Sequence, residues 1–452
     1  MTDATLPAPA RTAVTRENVY RAVWRWHFYA GLFTLPFLFI LAVTGGAYLF
    51  RDEIDGLVHA DLKSVEARAA APLGADALIS AALKAHPGKA ASFRGASTPA
   101  GSAEVTLRDG HGPGQVVYVD PYDGRVLGAL PEGGSVMDYV RRLHSLALFG
   151  RLPTALIEIA AGWAIVLVAT GIYLWWPRGQ RGGVVTVRAT PAKRVFWRDL
   201  HAVTGAFAGV FIAFLALTGM PWSLVWGAGL KTVLAQAGGG YPSGVRANIP
   251  MSPVPTGVAI PGTGWTLQAA PMPQSTPQDA PPLGVNAAAT IFADMGFPAG
   301  YGLALPAGPN GVYSASAYPD DVSGQRVAHI DQYSGMTLVD ARFADYGAAA
   351  KAIEWGISVH MGQEYGRANQ LFMLAVCLAL VGLCVSSPVM WWKRRPKGSL
   401  GVPPPPVDAR ATIGVVAIVA VAGLVFPLVG ASLLAMLAFD ALLMRRRRRA
   451  DR

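Results

Sequence analysis

Residues 24–31 read Trp24-Arg25-Trp26-His27-Phe28-Tyr29-Ala30-Gly31, and Thr44-Gly45 follow within the same apolar run. Residues 197–205 repeat the pattern: Trp197-Arg198-Asp199-Leu200-His201, then Gly205, with Thr218-Gly219 downstream. Both are His-x3-Gly with Thr-Gly seventeen and eighteen positions after the histidine, at an offset of 174. A second pair, His144 and His360, precedes Phe149-Gly150-Arg151 and Tyr365-Gly366-Arg367. Its offset of 216 holds as far as Trp175-Trp176 against Trp391-Trp392. Histidines kept in register across a duplicated chain, at the ends of apolar helices, suggest metal ligation, most simply haem.

The surrounding sequence is that of an integral membrane protein with sizeable polar loops. Hydrophobic residues make up 52%, charged residues 15%, and the mean hydropathy is +0.35, a balance foreign to one soluble domain. Spans are expected at 27–50, 154–176, 202–226 and 367–392. A further apolar region, 411–444, carries Pro427 and is expected to form two short transmembrane helices. The first run is too long for a signal-peptide core and lacks a close cleavage pattern, so it is expected to stay as a span.

Lys and Arg set the orientation. Segments 1–26, 177–198, 393–410 and 445–452 hold 21 basic residues in 74 positions, whereas loops 51–153 and 227–366 hold 16 in 243. The short segments, including the loop 177–201, the linker 393–410 and the tail 445–452, are therefore expected in the cytoplasm. The long loops are expected on the far side, in the periplasm. The net charge of +10 then needs no nucleic acid, and Arg445–Arg449 is expected to meet anionic lipid headgroups. Cys377 and Cys384, seven apart on one predicted helix, would stand roughly 10 Å apart along the axis, too far for a disulfide. They read as small apolar filler.

Thr15 and Thr190-Pro191 are expected to start the helices carrying His27 and His201. Val116–Leu127 and Val327–Leu338 read as β-hairpins sharing an apolar-Asp-x-Tyr-x-Gly core at an offset of 211. The fold expected is mainly α: an internally duplicated helical bundle of four core spans plus a C-terminal hydrophobic hairpin, with two periplasmic α+β modules. The Pro/Gly/Ser/Thr-rich stretch between Gly238 and Pro282 reads as a weakly structured insert, and Pro403–Pro406 as a stiff linker.

The stretches Trp-Arg-Trp-His27-x3-Gly and Thr218-Gly219-Met220-Pro221-Trp222-Ser223, with the Asp-x-Tyr-x-Gly hairpins, resemble the PepSY-associated transmembrane family over roughly residues 15–395. That family includes iron-regulated inner-membrane proteins and ferric-siderophore reductases. The resemblance implies PepSY-like periplasmic modules and a haem-containing membrane protein that passes electrons outward, often to Fe(III)–siderophore. The two hairpins depart from each other and the second loop is dominated by its insert, which bears on the substrate more than on the electron path.

Two haems b are expected, each held by two histidines: His27 with His201, and His144 with His360. Gly31 and Gly205, at i+4 from their histidines, leave room for a flat ring on the same helix face. Arg25 and Arg198 are candidate propionate partners for the first haem, Arg141 and Arg142 for the second. Bis-imidazole ligation suits electron transfer rather than oxygen activation. The electron donor is expected to be separate, quinol or a cytoplasmic flavin reductase, because no dinucleotide fingerprint is present. The acceptor is expected to be a ferric siderophore or another periplasmic oxidant. His59, His86, His111 and His329 are expected on loop surfaces, and the Trp-Trp pairs in interfacial belts. An open alternative is a non-redox binding or regulatory protein whose periplasmic modules hold a peptide, protease or siderophore. A transporter of intact siderophore is less attractive, for want of a charged or broken-helix site at the midplane.

Overall fold

The computed structural model describes residues 16–110, 112–179, 182–236, 251–260, 263–406 and 409–450. Most of the described chain is helical. It opens with α1 (Arg16–Tyr48), the short α2 (Arg51–Val58) and α3 (Ala60–Lys63), and α4 (Ala75–Ala85). Four strands follow: β1 (Lys89–Arg94), β2 (Ala103–Arg108), β3 (Gln115–Val119) and β4 (Val126–Pro131). Then come α5 (Val136–His144), α6 (Arg151–Trp175), α7 (Arg194–Gly219) and α8 (Trp226–Gln236). Next are β5 (Met251–Pro255), α9 (Thr256–Ala259), β6 (Pro271–Pro273) and α10 (Val285–Asp294). Strands β7 (Gly302–Ala304), β8 (Val312–Ala317), β9 (Arg326–Asp331) and β10 (Thr337–Arg342) precede α11 (Ala348–His360) and α12 (Gly366–Arg394). The chain closes on α13 (Ala409–Val425) and α14 (Pro427–Ala450).

Among the described residues, four helices are long and apolar enough to cross a membrane: Arg16–Tyr48, Arg151–Trp175, Arg194–Trp222 and Gly366–Arg394. They dominate a first compact unit, built from the described residues of 1–43, 149–226 and 376–452. One of its cores gathers Ala22, Trp26, Ala30, Trp163, Val429 and Leu433. Trp163 is 0% exposed, and its Nε1 donates to Ser432 Oγ at 2.8 Å, so the indole is buried without an orphaned donor. Small residues let helices approach: a Cβ on Gly162 would lie 2.3 Å from Val429 Cγ2, and one on Gly209 3.2 Å from Val168 Cγ1. A second core joins Ala42, Ile212, Val376, Leu380 and Cys384. Both cysteines are free and buried in helix packing.

The apolar stretch 411–444 is broken at Phe426, and Pro427 starts α14, where its missing N–H costs no helical bond. The expected helix start at Thr190 is not formed. Thr190 O instead closes a turn on Lys193 N at 2.9 Å, and α7 begins at Arg194, so His201 stands about two turns in rather than three. Thr15 lies outside the described residues.

The second unit comprises residues 44–148 and the described part of 227–375. Both polar segments contribute to a single eight-stranded sheet of order β10-β9-β8-β7-β1-β2-β3-β4, all neighbours antiparallel. They meet where Ser92, Phe93 and Arg94 pair with Ala304, Leu303 and Gly302. Helix α4 covers β1–β3 through Leu78, Ile79 and Ala82, and α10 covers β7–β9 through Ala288 and Phe292. Phe93 packs against both clusters. The N-termini of α4 and α10 cap each other: Asp76 N donates to Asn286 Oδ1 at 3.1 Å and Asn286 N to Asp76 Oδ2 at 3.2 Å.

The two Asp-x-Tyr-x-Gly turns share one geometry. Tyr122 N donates to Asp120 Oδ1 and Tyr333 N to Asp331 Oδ1, each at 2.9 Å, and the tyrosine hydroxyls bond Pro99 O and Pro309 O. Gly124 and Gly335 close the turns at φ +74° and +72°, where a side chain would be strained.

Two expectations are corrected here. The described part of the Pro/Gly-rich insert is not weakly structured. Its Ile260, Leu267 and Met272, apolar residues scattered among the turn formers, pack on Val312 and Val327 of the sheet and on Tyr346 and Ala350. For the same reason His329 is not on the surface. It is 1% exposed on β9, beneath the face the insert covers, with Nδ1 2.7 Å from Ser314 Oγ and Nε2 buried without a partner. Burial holds its imidazole neutral, with the pKa lowered to about 4. His59 and His86 are partly exposed, and His111 lies outside the described residues.

Candidate functional site

His27 on α1 and His201 on α7 both lie in the first unit. Each ring is tied by Nδ1 to a hydroxyl on another helix. His27 Nδ1 is 2.8 Å from Thr170 Oγ1 on α6, and His201 Nδ1 is 3.1 Å from Ser386 Oγ on α12. The direction of these bonds follows from the hydroxyls' other contacts. Thr170 Oγ1 donates its one proton to Val166 O at 2.7 Å, and Ser386 Oγ donates to Leu383 O at 3.2 Å. With its proton on the helix carbonyl, each hydroxyl accepts from the imidazole. In that arrangement Nδ1 carries the ring proton and Nε2 keeps the lone pair, the atom a metal takes.

Thr170 and Ser386 were not singled out from the sequence, although the signal was there. They are 216 positions apart, in the register that relates His144 to His360.

The glycines behave as the pattern requires. A Cβ on Gly31 would meet only Leu167 at 4.0 Å, and one on Gly205 only Leu383 at 3.7 Å, both ordinary contacts. Packing within the chain thus does not demand glycine at either site. A third glycine, Gly171, lies against the ring itself, where a Cβ would stand 3.4 Å from His27 Cε1.

His144 and His360 belong to the second unit, and each is the last residue of its helix, α5 and α11. A few residues later the apolar helices α6 and α12 begin. His144 Nδ1 is 2.9 Å from Thr44 Oγ1, the threonine of the opening motif. Among the described residues no three His, Cys, Asp or Glu side chains gather as a metal cage.

The four arginines differ in what they have left to offer. Arg25 is buried, donates to Pro403 O at 2.7 Å and lies over the Tyr29 ring, so it pins the Pro-rich linker. Arg198 bonds Asp199 Oδ1 at 2.5 Å through Nη2 and shares that buried carboxylate with Arg188. Arg141 pairs with Asp138 at 3.2 Å on the surface. Arg142 stacks on Tyr139 and donates to Gly133 O, yet its buried Nε has no partner. It is the one of the four with an orphaned buried donor.

Glu158 of α6, 2% exposed, was also passed over. It accepts from Val225 N at 2.8 Å and Trp226 N at 3.0 Å, capping the start of α8 just after the Met220-Pro221-Trp222-Ser223 turn. This offsets the cost of a carboxylate inside an apolar helix.

No curated protein matches this chain. The family model described as the PepSY-associated TM region matches residues 24–394, from Trp24 of the opening motif to the end of α12. The chain belongs to the PepSY-associated TM region family.

Proposed function

We propose that the chain is an inner-membrane oxidoreductase that passes electrons through two b-type haems to a periplasmic acceptor, Fe(III)–siderophore, in iron uptake. The observation that carries this reading is the treatment of His27 and His201. Each is held at Nδ1 by a hydroxyl, on four helices related by the offsets 174 and 216. A buried imidazole needs a hydrogen-bond partner in any case; the repetition of the same arrangement across both offsets is what supports ligation.

Haem, when bound, supplies a one-electron carrier that needs no proton and no open iron site. His27 and His201 would hold the inner group, His144 and His360 the outer one. Thr170, Ser386 and Thr44 orient the rings. Gly31 and Gly205 admit a flat face, and Gly171 keeps a side chain off the His27 ring. Arg142, with its buried Nε unpartnered, is the strongest propionate partner; Arg25, Arg198 and Arg141 already bond Pro403, Asp199 and Asp138.

Two groups near opposite faces would divide an otherwise prohibitive jump across about 30 Å of hydrocarbon. The charge distribution supports the orientation: the residues of the first unit sum to +15 and those of the second to −5. The paired turns and reciprocal helix caps support an internal duplication with PepSY-like periplasmic modules. The donor is a separate molecule, quinol or a cytoplasmic flavin reductase. Reduction to Fe(II) weakens hard-oxygen chelation and frees the metal.

The test is haem content by extraction from purified full-length chain. His27→Ala or His201→Ala is expected to remove about half of it, as is His144→Ala or His360→Ala. Unchanged content in folded variants would overturn the reading.

A further inference from the structure

Lys231 on α8 lies in a cleft of about 330 Å³ that it lines with Pro255, Gly257, Val258, Gln268 and Ala269. The cleft is an open groove rather than an enclosed cavity, so a ligand there would stay partly in solvent. Lys231 Nζ is 5.2 Å from the centre of the Trp265 ring and donates to Gln268 Oε1 at 3.0 Å. Among the described residues no carboxylate lines the cleft, and burial lowers the Lys231 pKa. A half-desolvated ammonium with a neutral partner favours an anion.

The base of the cleft is built. Gly257 N donates to Gln268 O at 3.0 Å, and a Cβ on Gly257 would meet Gln268 at 3.1 Å. Trp265 is buried against Leu234 and against Ile357 of α11, with Ile353 and Met361 alongside. Thr266 N donates to Glu354 Oε1 at 2.7 Å, which ties this segment to the same helix. The indole under Lys231 is thus the contact between the cleft and the helix that ends in His360.

We propose that this cleft seats a negatively charged Fe(III) chelate of the catecholate or carboxylate class, which rests on the reductase reading above. One cation over an indole, among proline, valine and alanine walls, suits a bulky anion with spread charge. Phosphate would instead ask for several converging N–H donors.

The test uses full-length protein in detergent and redox-inert gallium(III) complexes, so that binding is read without turnover. Gallium tris-catecholate carries three negative charges, gallium tris(tropolonate) is neutral, and the two are similar in size and both aromatic. Isothermal titration is expected to show the trianion binding about tenfold or more tightly than the neutral complex, the scale of one charge-assisted contact. Lys231→Gln should erase that preference, Lys231→Arg should keep most of it, and Val258→Trp should weaken both complexes by filling the cleft. Metal-free 2,3-dihydroxybenzoate should compete poorly.

Equal binding of the two complexes, a preference untouched by Lys231→Gln, or full competition by the metal-free acid would each overturn the proposal. Haem content is measured on the same samples. Loss of the haem reading with a surviving Lys231-dependent preference would sink the reductase and leave the cleft, and the reverse result would do the opposite.

Discussion

Replacing Thr170 by Val tests the hydroxyl's role with almost no change of shape. The wild-type hydroxyl accepts from His27 Nδ1 at 2.8 Å while donating to Val166 O. The variant leaves a buried N–H without an acceptor, a loss of about 1–3 kcal/mol. The Val166 carbonyl keeps its ordinary helical role, so α6 should stand. The ring also becomes free to turn, or to shift its proton to Nε2 and withdraw the lone pair that would bind metal. Loss of an outer partner of a ligating histidine typically costs 10–100-fold in metal affinity, about 1.4–2.8 kcal/mol, which agrees with the hydrogen-bond figure. The assay is transfer of haem from purified protein to excess apomyoglobin. One of two kinetic phases is expected to quicken about 10–100-fold in Thr170→Val and to be restored in Thr170→Ser. Identical transfer kinetics in Thr170→Val and wild type would refute the claim that this hydroxyl holds a ligand. A loss of both phases together with thermal stability would show damage to the fold instead.

Two further predictions concern the second unit. Asp76→Ala and Asn286→Ala should each lower its unfolding midpoint by the loss of a cap, about 1 kcal/mol. The two bonds are separate, each from one residue's backbone N–H to the other's side chain, so the double variant should cost about the sum; a large departure from additivity in a double-mutant cycle would count against this pair of caps. His329 makes stability depend on pH. Its folded pKa of about 4 lies below the ordinary 6.5, so the unfolded chain binds the extra proton between those values. Stability should therefore fall as pH drops from about 6.5 towards 4, by up to about 3 kcal/mol. His329→Gln should flatten that part of the denaturation profile, and an unchanged profile would count against a buried neutral ring.

Periodic and local features were legible in the sequence. The apolar runs, the hairpins with their Asp-x-Tyr-x-Gly turns and the four registered histidines all stand on short-range patterns. The partners of the histidines were harder to see, because Thr170 and Ser386 lie on other helices, 143 and 185 positions from the rings they hold. The 216 offset relates them only when it is followed between its two ends. The single sheet was not visible for a similar reason. Its central junction is three residue pairs, made by a strand of only three residues, Gly302–Ala304, more than two hundred positions from its partner. Nothing in so short a run selects a neighbour, and the pairing is set by the helices that cover it. The insert misled because its composition resembles a flexible linker, while its few apolar residues, Ile260, Trp265, Leu267 and Met272, do the packing. His329 was misread in consequence, since its burial depends on that cover.

The central claim is that two pairs of imidazoles each hold a haem. An absorption spectrum of the purified full-length chain before and after dithionite, with haem quantified by extraction, tests it most directly. The account predicts a reducible b-type spectrum at two haems per chain, lost when His27, His201, His144 and His360 are all replaced by alanine. A folded wild-type chain that is colourless, or a spectrum that survives those four replacements, would contradict it.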